Sequence, residues 1–208
     1  MTSWGTWREV YGGNIPFTKS SVSVSLGSSE AKVGLTPARV EKFHNSSNFV
    51  FYRSRTSPSF NNSTMFRHAP ITNITLDDNS PKSSIGLPIE KEEWDRNFRD
   101  SNFCLKIRGY SPHSRTMWRS IRDGCIPVIA SDVLPILAPL YKNSINVYDY
   151  AVVLEEEDFL SNVTKTLLRL NDMSEEDIRM KLKHLAFSQR VIFTDHPQSL
   201  FVPVFLKE

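Results

Sequence analysis

Residues 101–132 read SNFCLKIRGYSPHSRTMWRSIRDGCIPVIASD. Phe103-Cys104-Leu105-Lys106-Ile107 is short and mostly apolar, the pattern of a buried strand. Ser111-Pro112 supplies an N-cap and a first-turn proline, and Gly124 stands where a helix should stop, so a helix is expected from 112 to 123. Ile126-Pro127-Val128-Ile129-Ala130 is the next strand. Two strands joined through a helix form a βαβ unit, which implies parallel pairing and a right-handed crossover. On the connecting helix, Met117 and Trp118 are expected to pack inward, and Arg119 and Arg122 to form the solvent face.

The same alternation continues toward the C-terminus. Asn146-Val147-Tyr148 is expected as a short strand and Ala151-Val152-Val153-Leu154 as a further one. Phe159 to Leu170 is expected as a helix with Leu160, Val163, Leu167 and Leu170 along one stripe. Ser174-Glu175-Glu176-Asp177 opens a last helix, with Ile178, Leu182 and Leu185 inward. On the other side, residues 88–98 are expected as a helix on which Trp94 and Phe98 share a face.

Before residue 88 the texture changes. Six of the eight glycines lie at or before Gly86, and SSVSVSLGSS (20–29) and SPSFNNST (57–64) are loop-forming compositions. Asn48 to Tyr52 is expected as a strand, residues 37–43 as a short helix and residues 72–88 mostly as loop. The chain therefore divides into a loop-rich segment, 1–88, with one or two strands, and an α/β Rossmann-like domain, 89–208, with a parallel sheet and flanking helices.

Composition narrows the function. Of 208 residues, 39% are hydrophobic and 23% charged, which suits a globular chain and excludes collagen, coiled coil and wholesale disorder. No stretch approaches the roughly 20 apolar residues of a membrane span. The first seventeen residues show no basic start followed by an apolar core, so no signal peptide is read there. A net charge of +2 points to no nucleic-acid partner. Two cysteines build neither a disulfide framework nor a cysteine-rich zinc site. The five histidines are scattered, with no paired metal spacing.

The strand, Gly109 turn and helix of residues 103–123 make the geometry that cradles phosphate, because free backbone N–H groups and the helix dipole favour an anion there. The basic residues sharpen this. Lys106 and Arg108 leave the strand at the same end, His113 is adjacent, and Arg115 sits early in the helix, where a cation opposes the dipole. Converging positive charge at a positive helix end points to an anion such as a diphosphate; solvated loop side chains are the alternative. No Asp-x-Asp occurs in the chain, so a metal-bridged diphosphate is not indicated, and no cofactor is expected. Glu155-Glu156-Glu157-Asp158 reads as a helix start complementing its dipole rather than a metal site.

At these residues the chain resembles the exostosin family, glycosyltransferase family 47. Phe103-Cys104-Leu105, Gly109, Ser114-Arg115 and Gly124-Cys125-Ile126-Pro127-Val128 follow its signature in order, with Ser131-Asp132, Pro135 and Pro139 and the acidic run at 155–158 in register. The likeness is read from Trp94 to Leu185. Upstream, Arg53, Arg55 and Arg67 resemble the family's preceding strand and loop, with Ser54 where a glycine is usual. The resemblance implies the C-terminal, nucleotide-sugar-binding half of a two-domain B-type fold. It implies inverting, metal-independent transfer from a UDP-sugar to a glycan or glycoprotein acceptor in the Golgi. Gly109, Ser114 and Arg115 would hold the diphosphate, with Lys106 and Arg108 beside them. Gly124, Cys125, Ile126 and Pro127 would shape the strand beneath the nucleoside. Glu156, or alternatively Glu155, would bind the ribose hydroxyls. The length accommodates one such half, so the expectation is a partial chain, with the catalytic base and any membrane anchor elsewhere. A non-catalytic nucleotide-sugar-binding homologue and an unrelated phosphate-binding Rossmann-like domain are the other readings.

Two signals stand apart. Asn-x-Ser/Thr sequences begin at Asn45, Asn61, Asn62, Asn73 and Asn162, which suits a luminal protein or arises by chance in an Asn/Ser-rich chain. Cys104 and Cys125 fall on consecutive strands; two buried small hydrophobes are preferred, and a disulfide requires Cα atoms within about 7 Å.

Overall fold

In the computed structural model the described residues are 34–53, 83–86, 89–107, 115–131, 141 and 143–207. They form a parallel α/β fold. The strands are β1 (Asn48–Arg53), β2 (Ser84–Gly86), β3 (Ser101–Ile107), β4 (Ile126–Ala130) and β5 (Val152–Leu154). The helices are α1 (Val40–Asn45), α2 (Lys91–Arg99), α3 (Arg115–Arg122), α4 (Val147–Tyr150), α5 (Glu156–Ser161), α6 (Val163–Leu168), α7 (Glu175–Ile192) and α8 (Phe201–Phe205), with a 3-10 turn at Arg169–Asp172. All pairings are parallel and the strand order is β2-β1-β3-β4-β5. The sheet thus crosses residue 88: β1 and β2 of the loop-rich segment pair into the same sheet as the strands that follow.

The central strands are nearly continuous apolar runs, as burial on both faces requires. All five residues of β4 are buried. Pro127 is tolerated inside it because β5 pairs only from Val128 onward, so the proline interrupts no ladder on that side. Along β3, Phe103 and Leu105 join the main core with Val50, Ile126, Val128 and, from α7, Leu182 and Leu185. Cys104 faces the other way, into a smaller cluster with Phe51, Phe98 and Trp94. Trp94 stacks on Phe98 with ring centroids 4.6 Å apart, as their i, i+4 spacing predicts.

Gly124 ends α3 in a Schellman motif. Its φ is +63°. Its N–H donates to Ile121 O at 3.2 Å, and the Cys125 N–H donates to Ser120 O at 3.0 Å. Residues 36–38 pack over this turn, and Gln189 of α7 binds both. Its Nε2 donates to the carbonyls of Thr36, Ile121 and Arg122, and its Oε1 accepts the Ala38 N–H at 3.1 Å.

Five expectations are corrected. Asn146-Val147-Tyr148 is not a strand: the Asn146 side chain accepts the Tyr148 N–H and caps α4. The helix expected over 159–170 begins earlier, at Glu156, and breaks at Asn162, whose Oδ1 accepts the Lys165 N–H at 2.9 Å and starts a new helix. The helix near residue 40 covers 40–45, with Pro37 to Arg39 outside it. Arg119 and Arg122 are buried, 6% and 3% exposed. Arg119 lies against Asp123, reaches Asp95 of α2 at 3.0 Å and stacks over the Trp94 ring at 5.5 Å, because α2 packs beside α3. Arg122 pairs with Asp195 through both nitrogens and lies 5.1 Å from the Phe193 ring. Finally, Cys104 and Cys125 are bonded as a disulfide, their Cα atoms 5.9 Å apart.

Candidate functional site

The C-terminal ends of the strands form one crest. The register sets Arg53 level with Gly86, Ile107 with Ala130, and Ala130 with Leu154. Strand order reverses between β1 and β3, since the chain leaves β1 toward β2 on one side and β3 lies on the other. In open parallel sheets the ligand crevice forms at such a switch point. Arg53 closes β1 on one side of it. On the other side the chain leaves β3 at Ile107 and re-enters the described fold at Arg115, the first residue of α3. Arg108, Gly109 and Ser114 lie between these points, outside the described residues, as do His113, Arg55 and Arg67.

The acidic pair reaches the same crest. Glu155 follows β5 directly as the exposed N-cap of α5, and Glu156 is its first residue, 9% exposed. From β3 to β5 is two strand spacings, about 10 Å. Ser131, 1% exposed, sits between them at the end of β4. The crest therefore brings together Arg53, the start of α3 and the two glutamates.

Other expected site residues lie elsewhere. Lys106 is 3% exposed, and its ammonium lies 4.7 Å from the Phe98 ring, under α2. Ile126 and Pro127 begin β4, about 10–13 Å of strand below Ala130, and Gly124 and Cys125 come just before it. They are buried, at the strand-start pole rather than at the crest.

The opposite pole of the sheet is occupied by a buried charge cluster. Lys42 donates to Ser101 O at 2.9 Å and Gly124 O at 3.3 Å. Burial lowers its pKa to about 8, against the pull of Asp123 and Asp100. Burial pushes the Asp123 carboxyl up, with Arg119 beside it acting the other way. These groups tie α1 and α3 to the strand starts, and they stand a full strand length from the crest.

Sequence reasoning missed the outer side of β5. A hollow of about 630 Å³ there is lined by Tyr148, Val152, Leu154, Glu155, Met173 and Lys181, among others. Lys181 donates to Ala151 O at 2.8 Å and Tyr148 O at 3.2 Å, and burial lowers its pKa. It lies 26 residues beyond Glu155 on α7, and no local motif announces that meeting. Among the described residues no group of three or more His, Cys, Asp or Glu could hold a metal ion. No described helix is long and apolar enough to cross a membrane.

The family profile of the Exostosin GT47 domain matches residues 40–169, more than half of the chain. The chain belongs to the exostosin GT47 family. The match begins at the first residue of α1 and takes in all five strands. It therefore reaches further upstream than the likeness read from Trp94, and it stops before α7. The fold is that of a Rossmann-like glycosyltransferase domain, and the family assignment makes the chain a glycosyltransferase-family protein. No curated protein matches it.

Proposed function

We propose that this exostosin-family chain binds a UDP-sugar at the crest as the donor-holding half of a two-domain B-type glycosyltransferase. The reaction is inverting transfer to a glycan or glycoprotein acceptor in the Golgi. The observation that supports it most directly is the convergence of the α3 start, Arg53 and the Glu155–Glu156 pair about one strand-end crevice.

In this reading the diphosphate lies at the start of α3. Arg108, Gly109, Ser114 and Arg115 are the residues assigned to bind it, with helix-end N–H groups adding to the guanidinium charge. The leaving diphosphate gains negative charge as the sugar departs. A fixed arginine and oriented amides stabilise that charge without reorganising, so the step needs no metal. The ribose hydroxyls fall to Glu156, with Glu155 as the more exposed alternative. Lys106 is left out of the site, because its charge is held against Phe98.

Nucleotide selectivity tests the reading. Calorimetric titration of the chain with UDP, ADP and GDP should give at least tenfold tighter binding for UDP. Equal affinity for all three would mark a general phosphate cradle and remove the uridine assignment.

A further inference from the structure

Two of the five Asn-x-Ser/Thr sequences fall on described residues: Asn45-Ser46-Ser47 and Asn162-Val163-Thr164. Both asparagines are exposed, and both stand at helix boundaries rather than inside the sheet. Asn162 is oriented by the fold. Its Oδ1 accepts the Lys165 N–H at 2.9 Å. A glycan bonds to the other atom of that amide, Nδ2. Glycosylation removes one N–H and leaves the carbonyl acceptor intact, so the cap and the glycan use different atoms.

The surface beside Asn162 has room for a sugar. A hollow of about 790 Å³ is lined by Asn162, Thr164, Lys165, Arg169, Asn171 and Asp172, among others. Its amide, carboxylate and cationic groups are suitable partners for sugar hydroxyls. Asn45 lies at the far pole, just before β1 begins, so a glycan there stands clear of the crest. The Cys104–Cys125 disulfide adds an independent observation, because such bonds persist in the oxidising compartments where N-glycans are attached.

We propose that Asn45 and Asn162 carry N-linked glycans. In the transfer, the anomeric carbon–oxygen bond to a lipid diphosphate carrier breaks, a carbon–nitrogen bond to Nδ2 forms, and Nδ2 gives up one proton. The inference rests on the luminal setting proposed above, and the experiment separates the two. The full chain is purified from the tissue that makes it and alkylated before reduction. It is then deglycosylated in ¹⁸O-water by an amidase that converts glycosylated Asn to Asp. Peptide mass spectrometry is expected to find labelled Asp at both positions and a linked Cys104–Cys125 pair. A linked pair with either asparagine unlabelled overturns the proposal and leaves the luminal setting standing. Alkylated free thiols with both asparagines unlabelled overturn the luminal setting, and the proposal with it. In a secreting host, Thr164→Ala should lose the label at Asn162 alone; a label that persists there is not sequon-directed and also overturns the assignment.

Discussion

Gly124 meets two demands that only glycine satisfies. Its φ of +63° is the left-handed conformation of a helix stop, and a Cβ there would come within 2.9 Å of Ala38 and Thr36 backbone atoms. The first demand is legible in the sequence as a helix end. The second is not, because residues 36–38 arrive from far upstream. Gly124→Ala is expected to cost about 1–3 kcal/mol from the backbone conformation alone, with more from the close approach. A shift in the urea midpoint at unchanged slope would show it. Lys42 carries a pH dependence of definite sign. Its folded pKa of about 8 lies below the ordinary 10.5, so the unfolded chain holds the proton more tightly and stability rises as pH climbs above 8. The rise, up to about 3 kcal/mol if completed, is cut short near pH 10. There the unfolded Tyr150 phenol begins to ionise while the buried one, its pKa raised by burial, does not. Denaturant unfolding between pH 7.5 and 9.5 should show that rise in the wild type and a smaller one in Lys42→Met.

At the scale of elements, β1, β3, β4 and β5 and the helices flanking β3 were readable because their patterns are local: buried runs for β3 and β4, i, i+4 aromatics for α2, a capping serine for α7; β2, three residues within a stretch read mostly as loop, was not. Two of the errors share a local cause. Asn146 and Asn162 each offer a side-chain oxygen to a backbone N–H, which turned an expected strand into α4 and split an expected helix into α5 and α6. Arg119 and Arg122 were misplaced on the solvent face because nothing near them in sequence reveals Asp95 of α2 or Asp195 beyond α7. The disulfide depends on strand adjacency, which the sequence implies, and on register, which it does not. It closes a loop of 21 residues between β3 and β4. A chain-entropy estimate gives about 3 kcal/mol for such a loop. Reduction should lower the unfolding midpoint of the wild type by a corresponding amount and leave a Cys104→Ala/Cys125→Ala variant unmoved.

At the scale of the whole molecule, the two poles of the sheet divide the work. The strand starts are tied by Lys42, Asp123, Arg119 and Gln189, a network that supports the fold. The strand ends carry the crest. The motif of residues 101–132 contains parts of both poles in one stretch, so the sequence reading placed Gly124 to Pro127 in the same site as Gly109, Ser114 and Arg115. In space, Arg115 opens α3 at the crest while Gly124 and Cys125 belong to the other pole. That the glutamates stand at the crest was legible because they follow β5 directly; that Lys106 packs under α2 was not, since its neighbour Phe98 comes from a different element.

The central claim is that the α3 start at the crest holds a nucleoside diphosphate. Calorimetric titration of UDP into the wild-type chain and into Arg115→Ala, with circular dichroism confirming that both are folded, tests it most directly. Loss of a charge-assisted phosphate contact of about 1.5–3 kcal/mol should weaken binding tenfold or more. UDP binding of equal affinity in Arg115→Ala, or none in the folded wild type, would contradict the claim.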